Sequence, residues 1–221
     1  MFQHEGFWLP DGERHWLFEG LAEYQQADRD EAFTYVRDWT LALDIGANIG
    51  IFTRAFAERF DKVVAFEPIP DIRACLERNV PANVSVEPFA VSDRPGEVIM
   101  QQTVKASGGS YIANHPEIAV PAVANLAGPR AIPVELRTLD SFGFDRVGLI
   151  KLDIQGAEYL ALKGAEQTIR RCRPVVLIEE KPRKGDPLDI ENSKLASEFL
   201  LDLGMVAKGK PVGDRSYVFE D

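Results

Sequence analysis

A chain of 221 residues suits one domain, and a domain of this size buries about 70% of the surface its unfolded chain exposes. Its formal net charge of −10, from 35 acidic against 25 basic residues, works against binding phosphate backbones or anionic membranes, so nucleic acid is not an expected partner. Cys75 and Cys172 are too few and too far apart for a disulfide framework or a thiolate metal site, and no basic-then-apolar leader or run of roughly 20 apolar residues occurs, which predicts an unprocessed, soluble, cytoplasmic protein without membrane insertion.

Residues 1–40 are aromatic-rich and irregular up to Gly20, then helical through Phe33, Val36 and Trp39; they read as an N-terminal cap over the active-site end of a sheet. Residues 41–46 form an apolar strand run, after which Ile49, Phe52, Phe56 and Phe60 recur at helical spacing with Arg54, Glu58 and Arg59 turned outward. Residues 62–67 give a second strand ending at Pro68, and Ile72, Cys75, Leu76 and Asn79 mark one face of a second helix. Strands are predicted over 84–91 and 97–102, joined by the turn residues Asp93-Arg94-Pro95-Gly96. Residues 104–130 carry Ala, Gly, Ser and Pro without sustained periodicity, which predicts a lid or substrate-binding insertion.

The pattern resumes with a buried strand over 147–153 and one helix face through Ala157, Leu160, Ala161, Gly164, Ala165, Thr168 and Ile169. A further buried strand at 175–178 precedes a helical stripe of Leu195, Ala196, Phe199, Leu200 and Leu203. Strands at 205–207 and 217–219, with Gly209, Pro211 and Gly213 between them, predict a terminal hairpin. Continuous apolar strands alternating with amphipathic helices imply an α/β domain over 41–221 whose mostly parallel sheet is covered on both faces.

The run Asp44-Ile45-Gly46-Ala47-Asn48-Ile49-Gly50 sits where such a sheet binds a nucleotide-type cofactor: small residues at the end of the first strand let backbone approach a ligand, and the next helix offers unpaired N–H groups. The G-x-G-x-x-G spacing of dinucleotide sites is absent, which weakens an NAD-dependent oxidoreductase reading. Asp44 and Glu67 at two strand ends are acceptors suited to an amino group and to ribose hydroxyls, the requirements of S-adenosylmethionine. Pro68 fixes the turn after Glu67, and Phe89, Ala90 and Val91 are placed to flank an adenine. Asp153, ending an otherwise apolar strand, is the main catalytic candidate as hydroxyl holder, base or metal ligand. With Glu179 and Glu180 on the next strand it forms a candidate Mg²⁺ site. His115 in the long loop is a second catalytic candidate. Lys151 is read as pointing to the opposite sheet face from Asp153.

Residues 43–50 (LDIGANIG), Phe66-Glu67-Pro68 with Leu76 and Asn79, Ala90-Val91-Ser92-Asp93 with Gly96, Leu139-Asp140-Ser141, and residues 151–158 (KLDIQGAE) with Lys163-Gly164-Ala165 together resemble the FkbM-type methyltransferases over about residues 40–180. The resemblance implies a class I, Rossmann-like, S-adenosylmethionine-dependent methyltransferase: doubly wound, with a mostly parallel seven-stranded sheet and a C-terminal antiparallel hairpin. It also implies methylation of a hydroxyl on a sugar, glycan or secondary metabolite. Many such sequences carry Glu where this one has Gln155, so a role needing charge there is open, as is a catalytically inactive binding module; a homo-oligomer is compatible with either.

Overall fold

The computed structural model describes residues 1–17, 20–103, 105–112, 130–181, 187–209 and 213–220. An antiparallel hairpin, β1 (Phe2–His4) and β2 (Phe7–Leu9), opens the chain, turning at Glu5 and Gly6, which both have positive φ. Helix α1 (Gln26–Tyr35) leads into β3 (Leu41–Ile45), α2 (Ile51–Ala57), β4 (Lys62–Phe66), α3 (Pro70–Asn79) and β5 (Val84–Glu87). Four strands then form a separate sheet: β6 (Ala90–Val91), β7 (Gly96–Gln102), β8 (Tyr111–Ile112) and β9 (Arg130–Arg137). The chain returns through β10 (Leu149–Leu152), α4 (Glu158–Lys163), α5 (Glu166–Cys172), β11 (Val175–Glu180), α6 (Pro187–Asp202), β12 (Met205–Lys208) and β13 (Gly213–Phe219).

The main sheet has the order β12-β13-β11-β10-β3-β4-β5. Strands β11, β10, β3, β4 and β5 are mutually parallel, and β13 and β12 run antiparallel at one edge. Side-chain alternation divides the core in two. Leu43, Ile45, Ile150, Leu152, Val176 and Ile178 pack with Ala161, Ile169 and Leu200 of α4, α5 and α6, while Ala42, Leu149, Val175 and Leu177 pack with Phe33, Phe52 and Phe56 of α1 and α2. The four-stranded sheet, ordered β6-β9-β7-β8, rests on α4 through Val98, Val134, Leu136, Ala157 and Leu160. The N-terminal hairpin docks on α3, where Asn79 accepts the Trp8 N–H (2.7 Å) and donates to the carbonyls of Trp8 (2.9 Å) and Ile49 (2.8 Å). Among the described residues, no helix is long and apolar enough to cross a membrane.

Several elements differ from the sequence expectation. The stretch read as irregular up to Gly20 holds the β1–β2 hairpin, and the helix read through Trp39 ends at Tyr35, with Val36 already extended. The strand read over 84–91 is two strands in two sheets, because the chain leaves β5 after Glu87 and re-enters a sheet at Ala90. The helix face read from Ala157 to Ile169 is split into α4 and α5 at Gly164. A Cβ there would stand 2.0 Å from the Ser92 carbonyl oxygen, so the chain approaches β6 as only glycine permits. Asp140 then supplies the cap of α5 from outside, accepting the N–H groups of Gln167 (3.0 Å) and Thr168 (2.8 Å). Strand β9 has no counterpart in the sequence reading; Pro133 at its middle hides it.

Candidate active site

At the carboxyl ends of β3, β4 and β10 lies a cavity of about 360 Å³, within the range of small-ligand sites. Of the residues singled out from sequence, Gly46, Ala47, Asn48, Glu67, Pro68, Phe89, Ala90, Val91, Asp153 and Glu179 line it. Gly46 has φ +81°, and a Cβ on it would stand 2.1 Å from the Asp153 carbonyl oxygen, so the turn lies directly against the end of β10. Glu67 is 6% exposed; one carboxylate oxygen accepts the Asn48 N–H (3.0 Å) and the other the Ile69 N–H (2.9 Å). Burial pushes its carboxyl up to about 7 in spite of those two donors, which favour the charged form. The Asn48 Oδ1 atom is buried with no hydrogen-bond partner.

Several expectations need correction. Asp44 does not line the cavity: it is fully buried, accepting from Thr53 Oγ1 (2.6 Å) and standing 3.7 Å from Lys151 Nζ. Gly50 does not line it either and is the residue preceding α2, at φ +92°. Lys151 is not an outer-layer residue. Positions two apart on a strand share a face, so Lys151 points the same way as Asp153 and, in register with it, as Asp44. It is 3% exposed, with Nζ 3.3 Å from Asp153 Oδ2 and 4.7 Å from the Phe52 ring centroid. Glu179 and Glu180, being consecutive, face opposite sides of β11, so the proposed metal triad does not assemble. Glu180 turns to the α6 side, where it accepts from Ser197 Oγ (2.6 Å) and the Tyr217 hydroxyl and pairs with Arg215 (3.3 Å). Among the described residues no group of three or more His, Cys, Asp and Glu side chains is placed to hold a metal ion. His115 lies outside the described residues, as does most of the expected insertion, of which residues 105–112 are described.

Among the described residues, the floor of the cavity therefore carries one lysine beside several carboxylates. Burial pulls Lys151 down, but Asp153, Asp44 and Asp214 together hold it above the ordinary lysine value. Burial, with Asp153, Asp214 and Glu158 adding repulsion, pushes Glu179 up to about 8; burial and Asp153 push Asp214 up to about 6. Asp153 has both oxygens engaged, one by Lys151 and the other by Gln155 Nε2 (3.2 Å). Gln155, at φ +57°, also lines the cavity. Glu158 accepts the N–H groups of Ile154 (2.8 Å) and Gly156 (3.0 Å), fixing the turn between Asp153 and α4. Sequence reasoning missed His15, Trp16 and Tyr24, which enter the lining from the cap, whereas Ser107, Gly108, Gly109 and Ser110 enter it from the stretch expected to be a lid or substrate-binding insertion.

A parallel sheet whose glycine turn and following strand-end acid meet in one cavity has the arrangement in which α/β domains hold ligands at strand carboxyl ends. The model of the methyltransferase FkbM domain matches residues 44–200, and the chain belongs to that family. It is 29% identical over 204 residues to the AMB antimetabolite synthetase AmbE of Pseudomonas aeruginosa, covering 73% of this chain and 10% of that protein. It is 26% identical over 163 residues to the methyltransferase sdnD of Sordaria araneosa, covering 57% of this chain and 60% of that protein. Both alignments thus span less than two thirds of the relative. The crystal structure of methyltransferase FkbM from Methylobacillus flagellatus KT has the same fold, with a TM-score of 0.52 at 16% identity, covering 89% of this chain and 52% of that one.

Proposed function

We propose that the protein is an S-adenosylmethionine-dependent O-methyltransferase acting on a hydroxyl of a small molecule, either a secondary metabolite or a sugar or glycan. The carrying observation is that the Gly46–Asn48 turn, Glu67 and Asp153 wall a single cavity. The residues fit the cofactor. Each Glu67 oxygen uses one lone pair on a backbone N–H and keeps one for a ribose hydroxyl. The partnerless Asn48 Oδ1 calls for a donor, the turn accepts the amino-acid end, and Phe89, Ala90 and Val91 offer apolar flanks to the base. The antimetabolite in the name of the AmbE relative supports a small-molecule acceptor.

When bound, the cofactor supplies an electrophilic methyl group on a sulfonium. The work of the chain is positional: Asp153, itself held by Lys151 and Gln155, orients the acceptor hydroxyl, and rate enhancement comes from alignment at near contact with a modest acid–base contribution. Calorimetric titration with S-adenosylhomocysteine and, separately, NADH tests the reading. Binding of the first only is expected; Glu67→Ala weakens it at least tenfold, while Asp153→Asn leaves affinity within twofold and depresses turnover. No binding of S-adenosylhomocysteine, or binding of NADH alone, refutes the reading.

A further inference from the structure

The cap and the insertion, far apart in sequence, are joined over the cofactor turn by one buried carboxylate. Glu13 is 2% exposed. Its Oε1 accepts the N–H groups of Arg14 and His15, both at 2.8 Å, and its Oε2 accepts the N–H of Ser107 at 2.7 Å. The Lys105 carbonyl in turn accepts the N–H groups of Arg14 (3.0 Å) and His15 (3.3 Å), and the Trp16 indole N–H donates to Ser107 Oγ (3.0 Å). Gly108 follows immediately; a Cβ there would meet Asn48 Nδ2 at 3.4 Å and Trp16 at 3.8 Å. The clasped segment is thus seated on the cofactor turn itself, and Trp16, Ser107 and Gly108 all line the cavity.

We propose that Glu13 is a positioning residue for the cofactor site: its clasp closes a roof over the Gly46–Asn48 turn, and this roof opens for each cofactor exchange. Glu13 stands outside residues 44–200, so membership of the family assigns it no role. The inference rests on the reading of the cavity as an S-adenosylmethionine site. No bond of the clasp uses the cofactor, and the clasp is already formed in the protein alone, so its strength bears equally on the free and the loaded protein. Weakening it must then speed entry and exit by the same factor and leave affinity unchanged. A residue serving only the stability of the fold would lower the melting temperature without moving either rate.

The test uses the full chain and S-adenosylhomocysteine, with association and dissociation followed by stopped-flow fluorescence, for which Trp16 in the cavity wall is the natural reporter. Glu13→Gln places an amide N–H₂ against backbone donors and is expected to raise both rate constants tenfold or more, the factor that loss of one charge-assisted hydrogen bond accounts for, with Kd within twofold. Ser107→Ala, which removes the acceptor of the Trp16 N–H and leaves the reporter in place, raises both more modestly and serves if Glu13→Gln fails to fold. Unchanged rates in variants that bind, or faster dissociation with proportionally weaker affinity, overturn the roof. Failure of the wild-type protein to bind S-adenosylhomocysteine instead removes the cofactor reading, and the roof falls with it.

Discussion

Replacing Lys151 by Met removes the ammonium buried against Asp44 and Asp153 while keeping a side chain of similar length. At an effective dielectric of about 20, its separations of 3.3 Å from Asp153 and 3.7 Å from Asp44 correspond to gross attractions of about 5 and about 4.5 kcal/mol. Desolvation of the ammonium opposes these, so the net cost follows the general figure for breaking a buried pair, about 3–5 kcal/mol. Asp44 suffers most, since without Lys151 it keeps Thr53 as its hydrogen-bond donor inside a fully buried site. Its carboxyl, already raised by burial, loses the cation that opposes the rise and moves further above its unfolded value. Stability then survives below the unfolded carboxyl range, near pH 4, and is lost as pH rises through the folded value. Urea unfolding at pH 8 should show about 3–5 kcal/mol of destabilisation, shrinking by at least half at pH 5. A loss below about 1 kcal/mol at pH 8, or a loss independent of pH, refutes the assignment of Lys151 as the counter-ion of this floor.

Gly46→Ala forces a Cβ to 2.1 Å from the Asp153 carbonyl in a positive-φ residue, so a fall in melting temperature of roughly 10 °C and loss of S-adenosylhomocysteine binding are expected by scanning fluorimetry and calorimetry. In the wild-type protein, Asp214 (about 6), Glu67 and Glu158 (about 7) and Glu179 (about 8) are all raised by burial. Their contributions are fully present near pH 4 and are lost through pH 6–8, so the melting temperature should decline from pH 5.5 to pH 8.5; a flat or rising profile contradicts the buried placement. Gln155→Glu sets a carboxylate where Nε2 now lies 3.2 Å from Asp153 Oδ1, and should lower the melting temperature at pH 8 and restore it at pH 5.5, read by the same fluorimetry.

One geometric rule governs both the legible and the hidden parts of the fold. Strand apolarity and helical spacing located β3, α2, β4, α3, β10 and β11 to within a few residues, because those elements are buried and regular. The same period-two alternation contained the position of Lys151, two residues before Asp153, and the divergence of Glu179 from Glu180. Counting faces along β10 and β11 would have found both. Strand β9 was hidden because proline is depleted in strands. Pro133 is tolerated since β9 is paired there with β7 alone, opposite Ile99, while β6 pairs only with Leu136 and Arg137. The stretch was readable as a cap, but the roles of its individual residues were not: Glu13, Trp16 and Tyr24 acquire their places through contacts with segments up to 94 positions away, which no local spacing encodes.

The glycine turn and the catalytic candidate are not independently placed. Asp153 donates its N–H to the Ile45 carbonyl at 3.1 Å, and its own carbonyl occupies the space a side chain on Gly46 would take. The end of β10 is therefore gripped by Ile45 and Gly46, the two residues that open the glycine turn. Lys151, in register with Asp44 across the same strand pair, ties the side chains as the backbone ties the main chain. Asp44 is joined to the cavity wall through this lattice and does not itself line the cavity. On that reasoning Asp44→Asn should shift the pH dependence of turnover and the stability of the fold together, and leave affinity for S-adenosylhomocysteine much closer to wild type than Glu67→Ala does.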